Sequence, residues 1–378
     1  MTFALRHSLM RRELMRKVLR RIKRWMMRDQ APALTRAAAD ALRYPGASAA
    51  AFGQGLGLAT YEEMLCDPLV RSAITVKKLG ALAVPWRIEP ESDERSRFIR
   101  FALDELQGSP NTILFDALDA IAKGFAVLEK VFRAVMTGEY RGKVILGAVK
   151  PKDPALFGFD TDEFLNLRGL YLHVPGRSEV RLPREKFIVY AYNRRYQQPM
   201  GESDLRSAYS HWKVKRELIR QWSAHLEKYA SPTVLGRFRR GLPEDAQTAL
   251  LDALERLQRQ AAVVHPDDVE ISLLDAGREA RSSYLEAIDY HNREIARAIL
   301  GETLTTDDSR KVGSLALGKV HLQVLIMQLA GLRRDLQEAV MNEQVIRPLI
   351  DLNFGGGPYP SFHFDEPVLD VFVTGQVV

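Results

Sequence analysis

Residues Leu205–Tyr229 run for 25 positions without a glycine or a proline. At 1.5 Å per residue, a helix over this stretch is about 37 Å long. Ser203 and Asp204 stand before it as capping residues, and Ser231-Pro232 stops it. A second helical pattern runs from about Arg278 to Leu300, with Gly301 placed as the left-handed residue after its end. A third, of up to about 40 residues, extends from Gly313 to Leu352, with Gly331 as a point of bending or Pro348 as a point of breakage. Between the first two lies a small α/β insert: a strand over Thr233–Arg239, a helix over Pro243–Gln260, and strands near Ala262–His265 and Val269–Leu274. Pro243 followed by Glu244 and Asp245 is an ordinary helix start. Two long helices joined through such an insert, and followed by the polar loop ETLTTDDSRKV (302–312), do not resemble an enzyme scaffold.

The first half reads differently. A helix is expected over 61–79 with Leu69, Val70, Ile74 and Leu79 inward, then a strand over Ala83–Glu89 and helices at about 93–107 and 112–124. Strands follow at about 127–135, 143–149, 168–174 and 187–192, separated by turn residues such as Thr137-Gly138 and Pro175-Gly176. The fold class is therefore α+β. Residues 31–59 are Ala/Gly-rich and read as a linker. The Gly53, Gln54, Gly55, Leu56, Gly57 run follows an alanine-rich stretch and not a strand, so it is not a nucleotide loop.

Charge is unevenly placed. The net charge of the 378-residue chain is +6, but residues 1–30 hold ten Lys/Arg against two acids, a net +8, which leaves −2 for the remaining 348. The body is therefore no basic nucleic-acid clamp. The basic segment has Leu14, Met15, Val18, Ile22, Trp25 and Met26 at helical spacing. It reads as a helix that contacts a polyanion or a membrane surface, or as a solvated basic helix. No apolar run is long enough to span a membrane, and the first 30 residues hold no secretory core. The single cysteine, Cys66, excludes a disulfide framework and fits a reducing compartment.

No constellation for catalysis emerges, and no metal or cofactor is expected. There is no Gly-x-Ser-x-Gly, Ser-x-x-Lys or Walker A sequence. His291 and Glu294, three apart on a helix, hold a metal only with partners from elsewhere in the chain, and no motif supplies them. Cys66 reads as a packing residue, and Gly355–Gly357 as a turn. On the first long helix, Trp212 and Trp222 share a broad side, with Tyr209 and Tyr229 near the ends. They pack either against neighbouring subunits of an assembly or in an ordinary core.

Several stretches together resemble one family. GESDLRSAYSHWKVKRELIRQWSAHLEKYASP (201–232) is similar to the first stem helix of tailed-phage portal proteins of the Mu type. YHNREIARAILGETLTTDD (290–308) with GSLALGKVH (313–321) resembles the second stem helix and tunnel loop of that family. RPLIDLNFGGGPYPSFHF (347–364) resembles its closing segment, and PWRIEP (85–90) and PREKFIVY (183–190) extend the likeness into the first half. Ala230 stands where relatives often carry glycine, and the first 30 residues have no counterpart.

The resemblance implies a portal fold with an α/β wing (60–202), a two-helix stem (203–230 and 279–301) and a small α/β clip (231–278). A tunnel loop (302–312) then leads to a long wing helix and closing strand (313–365). The tail 366–378 implies a crown that is short or absent. It also implies a non-enzymatic subunit of a ring, typically of twelve, at one capsid vertex, which conducts double-stranded DNA in packaging and ejection. Its implied partners are further copies of itself, the terminase large subunit, the major capsid or scaffolding protein and a head-completion protein, with no membrane. The implied location is the virion, and the host cytoplasm during assembly. Thr303, Thr305, Thr306, Asp307, Asp308, Ser309, Arg310 and Lys311 would line the channel. Arg237, Arg239 and Arg240 would face the terminase, and Tyr209, Trp212, Trp222 and Tyr229 would pack the stem. Arg11, Arg12, Arg16, Lys17, Arg20, Arg21, Lys23 and Arg24 would contact DNA, scaffold or coat. The rivals are a head adaptor that binds DNA through the basic segment without forming a ring, and a phage nuclease, which should show clustered carboxylates.

Overall fold

The computed structural model describes residues 56–162, 166–174, 176, 178–194, 199–230, 233–237, 243–257, 270–274, 278–301 and 315–365, together with 16, 17 and 20. The chain divides into two units, one of residues 1–208 with 296–378 and one of residues 209–295.

In the first unit, α1 (Leu58–Leu65) and α2 (Pro68–Leu82) replace the single helix expected over 61–79. The apolar period runs straight across the break, but Asp67 Oδ1 accepts from the N–H groups of Leu69 and Val70 at 2.9 and 3.4 Å. With Pro68 at the first helical position, that cap restarts the helix. β1 (Trp86–Glu89), α3 (Glu94–Asp104), α4 (Pro110–Ala117) and the short α5 (Ala120–Lys123) follow. The helix expected over 112–124 is thus also divided, because Leu118 and Asp119 lie between α4 and α5.

Among the described residues, the strands pair antiparallel throughout. β2 (Phe125–Ala134) is the centre of a three-stranded sheet between β3 (Val144–Lys152) and β7 (Phe187–Ala191). A second sheet has the order β4 (Phe157–Thr161), β5 (Leu167–Leu172), β6 (Val180–Pro183). β4 and β6 lie outside the expected strands, since each is short and closely flanked by turn residues. Phe125, Val127, Phe157, Phe159, Leu170 and Phe187 form one buried cluster from the two sheets. At about 1.5–3 kcal/mol for each fully buried large apolar side chain, this cluster contributes substantially to the stability of the unit.

Helix α9 (Leu315–Leu336) passes through Gly331, continues as a π-wound stretch over Gln337–Ile346, and resumes as α10 (Arg347–Phe354). The helix is therefore not broken before Pro348. Arg347 N–H reaches back five residues to the Asn342 carbonyl, the π pattern. Pro348 has no N–H to give the carbonyl of Gln344, four residues earlier. That carbonyl instead accepts from the buried Lys130 Nζ at 3.0 Å. The wider winding also aligns side chains. Gln337 and Asn342, about 140° apart on an α-helix, here both meet β10 (Ser361–Phe364), accepting from Phe364 N–H at 3.2 Å and Phe362 N–H at 2.7 Å. β10 in turn pairs with β1.

α6 (Leu205–Ala230) and α8 (Arg278–Leu300) hold the two long patterns at nearly the expected bounds, residues 205–208 and 296–300 belonging to the first unit and the rest to the second. β8 (Thr233–Arg237) pairs antiparallel with β9 (Glu270–Leu274), and α7 (Glu244–Leu257) lies between them in sequence. The strand expected near 262–265 lies outside the described residues. At the end of α8, Gly301 has φ +77°, so the backbone conformation calls for glycine.

Candidate functional site

The start of α6 and the end of α8 meet at one lysine. Ser203 Oγ accepts from Leu205 N–H at 3.0 Å and donates to the Ala122 carbonyl at 2.6 Å, which seats the first turn of α6 on α5. Next to it, Asp204 Oδ2 accepts from Lys77 Nζ at 2.6 Å. The same ammonium donates to Tyr192 Oη at 3.1 Å and to the Ile299 carbonyl in the last turn of α8 at 2.8 Å. All three ammonium protons are therefore used. The placement also suits both helix dipoles, with an acid at the N-terminus of α6 and a cation at the C-terminus of α8.

Burial works against charge on both partners. It pulls Lys77 down, but Asp204 and Tyr192 together outweigh it, so the lysine stays above its ordinary range. Tyr192 is raised by burial and by Asp204. Beside this clasp opens a cavity of about 850 Å³, walled by β7, the end of α8, α9 and the π-wound stretch. Tyr190 crosses its wall, donating to Asp335 Oδ2 at 2.8 Å; burial and that carboxylate raise its phenol well above the usual range.

Within the second unit, His211 on α6 and His291 on α8 lie with Nδ1 atoms 3.0 Å apart. Tyr290 flanks both rings, at 6.0 and 5.2 Å between centroids, and farther along His225 meets Tyr284. Trp212 is buried, with Tyr209 against it at 6.0 Å and the Arg216 guanidinium 5.3 Å from its ring centre. Trp222 is half-buried. Among the described residues, the large apolar side chains left outward on the two long helices are Val214, Ile219 and Leu226 on α6 and Leu285 and Tyr290 on α8. An aromatic pattern does not single these out, but their positions on the polar side of the helices do.

The remaining expected site residues divide as follows. Arg237 ends β8, whereas Arg239 and Arg240 lie outside the described residues. So do Thr303, Thr305, Thr306, Asp307, Asp308, Ser309, Arg310 and Lys311. Tyr229 lies on α6, its side chain outside the described set. Arg16, Lys17 and Arg20 are helical and exposed; Arg11, Arg12, Arg21, Lys23 and Arg24 lie outside. Reading the sequence missed Lys77, whose partners are 115 to 222 residues away, and the match of His211 to His291. Among the described residues, no three His, Cys, Asp or Glu gather as a metal site, and no helix is long and apolar enough to cross a membrane.

Comparison with known proteins places this arrangement. A family model for the portal protein of Mu bacteriophage matches residues 58–371. The portal protein of Escherichia phage Mu is 26% identical over 299 residues, covering 76% of this chain and 55% of that protein. The Mu-like prophage FluMu protein gp29 of Haemophilus influenzae is 27% identical over 309 residues, covering 79% and 58%. The chain thus spans little more than half the length of these relatives. Among solved structures, a chain from the virion of a native gene transfer agent particle has a TM-score of 0.59 at 12% identity, covering 95% of this chain and 92% of that one. A chain from the neck of the native particle, computed with C12 symmetry, has a TM-score of 0.58 at 13% identity, covering 89% and 91%. At such identity the likeness is one of fold, and it agrees with the α+β architecture. With the family match extending over most of its length, this chain belongs to the Mu-type bacteriophage portal proteins.

Proposed function

We propose that the chain is the ring-forming subunit at one vertex of a tailed-phage or phage-like head. It conducts double-stranded DNA inward during packaging and outward at ejection. The observation that carries this reading is the family match across residues 58–371. In this reading residues 60–202 and 313–365 form the wing, 203–230 and 279–301 the stem, 231–278 the clip, and 302–312 the tunnel loop. The outward apolar side chains Val214, Ile219 and Leu226 of one copy meet Leu285 and Tyr290 of the next, a heterologous contact of the kind that closes rings. Twelve copies is the expected number.

The charge balance suits a conduit. Each phosphate neutralised by a protein adds salt-dependent affinity, which would brake moving DNA. Outside residues 1–30 the chain has a net charge of −2, and in the tunnel loop Asp307 and Asp308 offset Arg310 and Lys311. The role is structural, with the driving force supplied by a separate terminase ATPase that docks on the clip. The basic segment 1–30 contacts packaged DNA, scaffold or coat. The location is the portal vertex of the virion, reached from the host cytoplasm during assembly.

Reversing the clip charges tests the docking claim. Arg237→Glu, Arg239→Glu and Arg240→Glu together should weaken capture of the terminase large subunit by about tenfold or more, in a salt-dependent way. Unchanged capture would remove the clip from the terminase interface.

A further inference from the structure

The geometry of the His211–His291 contact points to a device that the portal reading does not require. The two Nδ1 atoms are 3.0 Å apart and the ring centroids 5.3 Å apart. An imidazole nitrogen lies about 1.15 Å from its ring centre, so these distances place the rings head-on, as an N–H of one ring meets the lone pair of the other. Two lone pairs converging on a shared metal ion would be angled instead. The contact is therefore a hydrogen bond that holds one proton between two nitrogens.

We propose that His211 and His291 form a proton-counting clasp between α6 and α8, which holds near neutrality and opens when both rings are protonated. The neutral pair has one Nδ1–H and one free Nδ1, and so does the singly protonated pair, whose extra proton sits on the Nε2 of the donor ring. The doubly protonated pair has two facing donors and two like charges, and no bond remains. Its place in the chain gives that event leverage. His211 is the third residue of the second unit and His291 the fifth from its end, so the clasp ties the two helices where each joins that unit. The ionisable groups facing it are Tyr290, against both rings, and Glu294, which acts on His291. Burial and the neighbouring His211 hold His291 below the ordinary histidine range, and Glu294 opposes them. His291 thus binds its proton more weakly in the folded chain than in the unfolded one. The His291 contribution is present above about pH 6.5 and is lost as the pH falls below that.

Hydrogen–deuterium exchange of the full chain tests this, with rates corrected for intrinsic exchange. Between about pH 7.5 and about pH 5, peptides from 209–227 and 283–295 should lose protection by about tenfold or more, while peptides from 110–134 keep theirs. His211→Gln should remove the loss, because a glutamine does not titrate and its carbonyl still accepts from protonated His291. His291→Gln should do the same by the converse bond, and circular dichroism checks that each variant is folded. Retained protection at the lower pH in the unaltered chain, or an equal loss in both variants, would overturn the proposal.

Discussion

Gln344 completes the edge of β7 with its side-chain amide: Oε1 accepts from the Val189 N–H and Nε2 donates to the Val189 carbonyl, each at 2.9 Å. Asn353 does the same for the opposite edge of that sheet, accepting from Val144 N–H and donating to the Val144 carbonyl at 2.7 Å. One helical segment thus takes up backbone groups on both edge strands, which would otherwise be open to pairing.

Replacing Gln344 by leucine keeps the volume and removes both bonds to Val189, together with the one Nε2 gives the Ala339 carbonyl at 2.6 Å. With net contributions of about 1 kcal/mol per bond and two backbone groups left unsatisfied, stability should fall by about 2–3 kcal/mol. The urea midpoint of the purified chain reads this directly, and a midpoint equal to that of the unaltered chain would refute the role.

Lys130 makes stability depend on pH in an unusual direction. Burial pushes its ammonium down to about 7, with Glu185 and Arg184 acting in opposite senses. In an unfolded chain a lysine titrates near 10.4, so between these values the unfolded state holds the extra proton and stability rises with pH. The gain should be about 2 kcal/mol between about pH 7 and about pH 9. Lys77, held above its ordinary range, loses its contribution only at higher pH and stays out of this window. Unfolding midpoints at the two pH values should differ in the unaltered chain and coincide in Lys130→Met.

The Lys77–Asp204 clasp predicts a marked non-additivity. Lys77→Met leaves a buried carboxylate and Asp204→Leu a buried ammonium, so each should cost about 3–5 kcal/mol. The double variant removes both charges and should cost less than the two single losses combined. Additive losses in thermal or urea unfolding would show that the two groups act independently.

How far these features are legible in the sequence follows from the range of the interaction that makes them. The long helices α6 and α8 are set by local features: uninterrupted helix formers, Ser203 and Asp204 before one and Gly301 after the other. The break at Asp67-Pro68 is also written locally, but the apolar period of 61–79 masks it. β4 and β6 are short and owe their existence to β5 between them. The amide of Gln344 meets a strand 155 residues away, and His211 lies 80 residues from His291. In each case a single polar residue carries no mark of its partner. The π-wound stretch is legible only in retrospect, through Pro348, which has no N–H for the Gln344 carbonyl that Lys130 takes up.

The portal reading stands on ring formation, and the mass of the purified chain in solution tests it most directly. Light scattering should give about half a megadalton for twelve subunits of 42.8 kDa, with an axial hole in negative-stain images. Val214→Glu with Ile219→Glu, both on the outward side of α6, should leave a folded subunit that no longer assembles. A monodisperse 42.8 kDa species of the unaltered chain at every concentration would contradict the account.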